Sequence, residues 1–346
     1  MSRRILFRGL LLLVLLGGLA AAGGAWVVFA PNTPPYAGAR TVTLPDRTTE
    51  SLDAVIDSLE ARGIVQRAAP LRWMAQATGW GAQIKAGHYA FDAGASNYDI
   101  LDVLRRGLQT PVHLTIPPGS RPNVVAAVAG RQMQFSKHDF LAALRDTTVA
   151  HDLNVPPGTL FGYLLPETFE LYWHTPPERV LRRIKSGFDR FFQRNVAPHT
   201  DSLGLSPHEV VTLASIVEWE ALLDKEKPTI AGVYLNRIEN GWKLQADPTI
   251  QYVLIDTQGA RVRRVLYRHL EIDHPYNTYQ IAGLPPGPIT NPAPSTLRAV
   301  ANAEEHSYFY FAANGTGGHT FSRTLREHTR AAEAYHRLLD QQQQER

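Results

Sequence analysis

The chain has 346 residues, enough for two modest domains, and an ordinary globular composition of 44% hydrophobic and 19% charged residues. Its formal net charge of +3 suits an anionic polymer or a membrane surface and does not point to nucleic acid. The absence of cysteine excludes disulfides, thiolate metal sites and a cysteine nucleophile.

Arg3, Arg4 and Arg8 precede an uncharged run, GLLLLVLLGGLAAAGGAWVVFA, at residues 9–30. At 1.5 Å per residue such a helix is roughly 33 Å long, enough to cross a bilayer core. The arginine bias puts the N-terminus in the cytoplasm and everything after residue 30 beyond the inner membrane. A cleaved signal peptide ending near LAAAG is the rival reading. The apolar run continues past those alanines to Val28 and Phe29, which favours an anchor. Residues 1–30 are thus expected to be a cytoplasmic tip and transmembrane helix, followed by a Pro/Gly linker at 31–40.

Residues 41–110 suggest a small α+β module of order β-α-α-β with one more helix. TVTLP alternates like a strand. Leu52, Val55, Ile56 and Leu59 fall on one helical face, and Gly63 is a natural stop. APLRWMAQATG is a second helical stretch, AGHYAF a returning strand, and Ser96 opens a helix that Gly107 ends.

Residues 111–340 are expected to form a mixed α+β domain, with a disordered tail at 341–346. PVHLTIPPG is a strand and turn, followed by helices near 121–131 and 136–146. Ser136 with Asp139 three residues on resembles a capping box. The stretch 158–171 fits neither period. From Glu178 the apolar residues Val180, Ile184, Phe188, Phe191 and Phe192 share one face, and arginines 179, 182, 183, 190 and 194 fill much of the remainder, a solvated surface. Ser206, Pro207 and Glu209 give three independent signals of a helix start. A helix from Pro228 stops at Gly241. Residues 273–294 are loop-like yet too aromatic and apolar for disorder, a functional signature. Residues 307–322 make a hairpin around a Gly-rich turn, and a last helix covers about 323–340.

Inside the helix that starts after Ser206 lies SIVEWEA, with two glutamates. Glu218 shares helical spacings with Val211, Ala214, Ser215 and Leu222, so its near neighbours on that helix are mostly apolar. Glu220 lies about 200° away and points elsewhere. A carboxyl on an apolar face tends to keep its proton, because desolvation penalises the charged form, and can then protonate a glycosidic oxygen.

LASIVEWEA, AGVYLNRI, LQADPT, PYNTYQIAGLPPGPITNP and YFYFAANGTGGHTFSRTLREH follow in that order. Together they resemble the endolytic murein transglycosylases of the MltG/YceG-like family across most of residues 115–335. Trp219 stands where that family commonly has a lysine, and Phe161 where it often has an acidic residue. The resemblance implies cleavage of the MurNAc–GlcNAc bond within peptidoglycan strands, leaving 1,6-anhydro-MurNAc ends. It gives Glu218 the role of single general acid/base. The upstream module resembles a LysM-like glycan-binding domain. Peptidoglycan synthases (penicillin-binding proteins) are the partners implied by analogy, with the bilayer contacted through residues 9–30.

Asp247 is either a second catalytic carboxylate or the N-cap of a helix starting at Pro248, with the capping role favoured as its first. Asn236 and Gln245 offer amides for sugar hydroxyls or N-acetyl groups, and Thr249 shares the LQADPT motif. Tyr276, Asn277, Thr278 and Tyr279 form a polar-aromatic cluster suited to a sugar cleft. His319 is either a cleft residue or a hairpin-turn histidine. NGTGGH lacks the lysine and helix of a phosphate loop, and the histidines have no metal-binding spacing, so no cofactor or metal is expected. Two alternatives to the transglycosylase stay open: a muramidase that admits water and uses Glu218 with Asp247, and a non-catalytic glycan-binding scaffold for wall synthesis.

Overall fold

A computed structural model describes residues 3–45 and 51–344 of the chain. The fold is mixed α+β and helix-rich, and it divides into two compact units. The first comprises residues 1–113 and 170–175; the second comprises 114–169 and 176–346.

The first unit begins with helix α1 (Arg3–Phe29). Its Phe7–Phe29 stretch has a mean hydropathy of 2.2 and is long and apolar enough to cross a membrane. The end of α1 is tied to the module that follows. The Asn97 amide donates to Val27 O at 2.6 Å and accepts from Asn32 Nδ2 at 2.6 Å. The Arg67 guanidinium lies over the Trp26 ring. Strand β1 (Arg40–Leu44), helices α2 (Leu52–Ala61) and α3 (Ala68–Ala77), strand β2 (Gly87–Phe91) and helix α4 (Asn97–Arg106) give the expected β-α-α-β order plus a helix. β1 and β2 pair antiparallel, Val42 opposite Tyr89. Val42, Leu44, Ile56, Leu59, Leu71, Tyr89 and Leu101 form the buried core of this unit, as the 2.0 and 3.6 periodicities require.

Strand β3 (Val112–Thr115) pairs with β4 (Thr168–Leu171), and the division between the units falls within both strands. Between them come α5 (Pro122–Gln132), α6 (Lys137–Arg145) and α7 (Thr147–Asp152). α6 starts with the capping box of Ser136 and Asp139. The stretch that fitted neither period resolves into a 3-10 turn, Leu160–Tyr163, and β4. Its apolar residues are buried without a regular face, so no periodicity is left to read.

Helices α8 (Pro177–Asn195) and α9 (Ala197–Leu203) lead to α10 (Pro207–Glu220). The arginines named on α8 are exposed. α10 is the central helix of the second unit: residues 210–217 are all buried, and α11 (Lys227–Glu239), α12 (Asp247–Gln258) and α14 (Pro294–Ala301) pack against it. Between α12 and α14 lies only the short helix α13 (Tyr267–Leu270). The long loop after α13 is ordered by buried polar groups. Asn277 Nδ2 donates to Leu270 O and Ile272 O, and Asn291 Nδ2 to Pro117 O and Leu164 O. Hairpin β5 (Tyr310–Ala313)–β6 (His319–Ser322) follows, and α15 (Leu325–Gln344) packs on it. The tail expected to be disordered from 341 is helical through Gln344; residues 345–346 lie outside the described residues, as do 1–2 of the tip.

Candidate active site

α10 carries both glutamates in its last turn, and they face different surroundings. Glu218 does not have the apolar setting its own helix suggests. Its Oε2 accepts from the Thr296 hydroxyl and from Ala293 N at 3.1 Å, and lies 3.6 Å from Lys227 Nζ. Lys227, itself 7% exposed, also donates to Thr296 Oγ1 at 2.8 Å. That oxygen therefore faces a hydroxyl, a backbone N–H and an ammonium. The expected apolar surroundings of Glu218 are not found because helical spacing reports neighbours within α10, whereas the start of α11 and the N-terminus of α14 supply the groups that cover it.

Glu220 has the environment expected of an acid. Its Oε2 is buried and has no hydrogen-bond partner among the described residues. Burial, and next the charge of Asp247, push its carboxyl up to about 8; Arg237 and a hydrogen bond from Tyr234 act in the opposite direction. An unpaired buried carboxylate oxygen is costly, so the neutral acid is the favoured form at neutral pH. Tyr234 and Arg237 come from α11, three residues apart on one face. Burial raises the Tyr234 phenol and lowers the Arg237 guanidinium. Arg237 is locked by Phe309 O at 2.8 Å and by Leu244 O.

Asp247 stands opposite at the start of α12. It is the first helical residue rather than the cap: Ala246 occupies the N-cap position and no side chain caps the helix. The Asp247 carboxylate is instead held by Tyr279, whose hydroxyl donates to Oδ1 at 2.6 Å. Burial raises the Tyr279 phenol, and the adjoining Asp247 raises it further. Three cavities meet at Asp247. One of about 370 Å³ is lined by Glu220, Arg237, Gln245, Tyr279, Tyr310 and His328 among others. The second, about 430 Å³, also holds Glu220, with Trp219 and Arg263. The third, about 510 Å³, extends past Arg264 to Tyr267. The result is an open cleft with two carboxyls at its centre.

Of the residues expected to bind substrate, Gln245, Asp247 and Tyr279 line this cleft. Gln245 does so with φ +48, a left-handed conformation stabilised by its backbone N–H donating to Thr278 O. The others have partners within the fold. Thr278 and Thr249 are fully buried, their hydroxyls 2.8 Å apart, and Thr278 Oγ1 accepts from Ala246 N. They clamp the Gln245–Asp247 turn to the Tyr279 segment. Asn277 holds the loop carbonyls, as described. Tyr276 packs its ring on Tyr252 at 4.5 Å. Asn236 donates to His306 O and Tyr308 O, away from the cleft. His319 bonds Glu226 through Nδ1 at 2.8 Å, a link between the hairpin and the segment before α11. Sequence reasoning misses Glu220, Tyr234, Arg237, Tyr310 and His328. Arg237 stands out in the sequence as a charge within the apolar helix AGVYLNRI, and Glu220 shares the SIVEWEA stretch with Glu218.

Comparison with known proteins finds consistent relatives. The profile of the YceG-like family matches residues 47–334. An endolytic murein transglycosylase of Bacillus subtilis (strain 168) is 29% identical over 313 residues, 85% of each chain. A protein of the same name from Streptococcus pneumoniae serotype 2 is 26% identical over 311 residues, which are 81% of this chain and 55% of that one. A yceG-like protein of Listeria monocytogenes, known from a 2.6 Å crystal structure, superposes with a TM-score of 0.58 at 26% identity, covering 85% of this chain and 98% of the other.

Proposed function

This chain belongs to the YceG-like family, and from that premise we propose that it cleaves the MurNAc–GlcNAc bond inside murein strands with Glu220 as its acid/base. It is an enzyme of the lytic transglycosylase class, acting on peptidoglycan. The observation that carries the residue assignment is the buried Glu220 carboxyl beside Asp247 in the cleft, with its Oε2 unpartnered among the described residues. Neutral Glu220 protonates the glycosidic oxygen as the C1–O bond breaks, and the leaving sugar departs with that proton. The resulting carboxylate then takes the proton of the muramic C6 hydroxyl. The C6 oxygen bonds to C1, which closes the 1,6-anhydro ring and restores the neutral acid. Asp247, oriented by Tyr279, supplies a negative charge that stabilises the positive character developing at C1. Glu218 serves the fold through Lys227 and Thr296.

The carboxyl pair also supports a second reading, an inverting or retaining hydrolase with Asp247 as partner. Mass spectrometry of strands digested by wild-type, Glu220→Gln and Glu218→Gln proteins separates the two. Anhydro ends lost only with Glu220→Gln are expected. Reducing ends heavier by one water would establish the hydrolase, and no cleavage by wild type would favour a glycan-binding scaffold. Further parts of the proposal are that α1 anchors the protein in the cytoplasmic membrane with its N-terminus inside, that residues 41–110 act as a LysM-like glycan-binding module, and that 111–340 are the catalytic domain. Peptidoglycan synthases are the partners this arrangement suits.

A further inference from the structure

The segment after α12, GARVRRVL (residues 259–266), forms one wall of the cleft. Arg261, Arg263 and Arg264 line the same cavity as Glu220 and Asp247. The segment is fixed at its middle. The Gln251 side chain grips the Val262 backbone in both directions, donating to its carbonyl at 2.9 Å and accepting from its N–H at 3.1 Å. The Arg261 guanidinium lies over the Trp219 ring, 4.6 Å from its centre. Among the described residues none of these three arginines makes an ion pair, whereas Arg72, Arg105, Arg106 and Arg182 elsewhere are paired with aspartates. Free guanidinium groups on a held loop, facing a cleft whose own carboxyls they do not neutralise, are built for an anionic ligand. Arginine's planar fork matches a carboxylate.

We infer that Arg263 and Arg264, with Arg261 set by Trp219, form a specificity wall that recognises carboxylate groups carried by the glycan strand. Two sources offer that chemistry: the lactyl carboxyl of a muramic acid stripped of its peptide, and the free carboxyls of a peptide stem. A neutral polymer of N-acetylglucosamine offers neither. The inference rests on the reading above for where the strand lies, but it concerns binding and can be tested without turnover.

The test uses the full-length Glu220→Gln protein in detergent and measures its affinity for three preparations of soluble strands. One bears peptide stems, one is amidase-stripped so that only lactyl carboxylates remain, and one has every carboxyl amidated. Adding Arg263→Gln and Arg264→Gln is expected to weaken binding by about tenfold on at least one carboxylate-bearing preparation, the size of one lost charge-assisted contact. On the amidated strands the two proteins should bind alike. Arg263→Lys with Arg264→Lys should recover most of the loss, and added salt should shrink it, because the groups are exposed. The carboxylate-bearing preparation that responds identifies the source. Equal affinity of the parent for charged and amidated strands, or an equal loss on all three, overturns the proposal. Absence of cleavage by wild-type protein would refute the transglycosylase reading by itself and leave this binding comparison to be judged on its own result.

Discussion

Two carboxyls, two residues apart in one helical turn, sit in opposite environments. Around Glu218 the structure brings an ammonium, a hydroxyl and a backbone N–H. Around Glu220 it brings burial, a second carboxylate and an oxygen with no described partner. Chemical identity is the same and only tertiary surroundings differ. The comparison teaches that a buried carboxyl is an acid where charge is unwelcome and a structural member where donors surround it.

The sharpest way to break that comparison is a pair of substitutions. Glu220→Gln should lower kcat by about 10³-fold, the scale of lost acid/base catalysis, with no fall in the thermal midpoint. Glu218→Gln should do the reverse, costing about 1–2 kcal/mol of stability in denaturant titration, because the charge-assisted contacts of its Oε2 are weakened while Lys227 keeps Asp224 at 2.7 Å. If Glu218→Gln instead removed activity from a fully stable protein, the roles would be exchanged.

Titration tests the same contrast. With the folded pKa of Glu220 raised to about 8, the alkaline limb of kcat/KM should fall around that pH. Stability has its own sign. Between the ordinary carboxylate range and about 8, the folded protein keeps a proton that the unfolded chain has released. Its contribution is therefore full at the acid end and declines as pH rises, by at most about 1.4 kcal/mol per pH unit. Glu220→Gln should flatten that slope.

Smaller effects refine the Glu220 side. Tyr279→Phe removes the hydroxyl that orients Asp247 and should reduce kcat/KM by about tenfold, the equivalent of one hydrogen bond to a charged group. A wild-type rate in this variant would show that Asp247 needs no orientation. Gln245→Gly relieves a left-handed side-chain-bearing residue and should raise stability by about 0.5–1 kcal/mol, with any loss appearing in KM as the amide is removed from the cleft. A destabilised glycine variant would mean that the Gln245 side chain, rather than its backbone, holds the turn.

Much of the fold was legible in the chain. The apolar run of α1, the capping box and N1 proline of α10, the β-α-α-β order and the closing hairpin all follow from local rules, because each is encoded by residues within one turn or one strand of each other. The motif order likewise led from sequence to the family, and SIVEWEA marked the helical turn that carries both glutamates. What remained hidden was which glutamate in that turn meets the cleft. Helical spacing describes only neighbours on the same helix, whereas Lys227, Thr296 and Ala293 reach Glu218, and Tyr234, Arg237 and Asp247 reach Glu220, from separate elements. The same holds for Asn277 and Thr278, polar residues whose type suits a sugar cleft and whose partners are buried backbone and hydroxyl groups. Sequence alone determined the elements and the class of enzyme. Tertiary packing decided what surrounds each carboxyl and raised that of Glu220, because desolvation and charge act through space between segments distant along the chain.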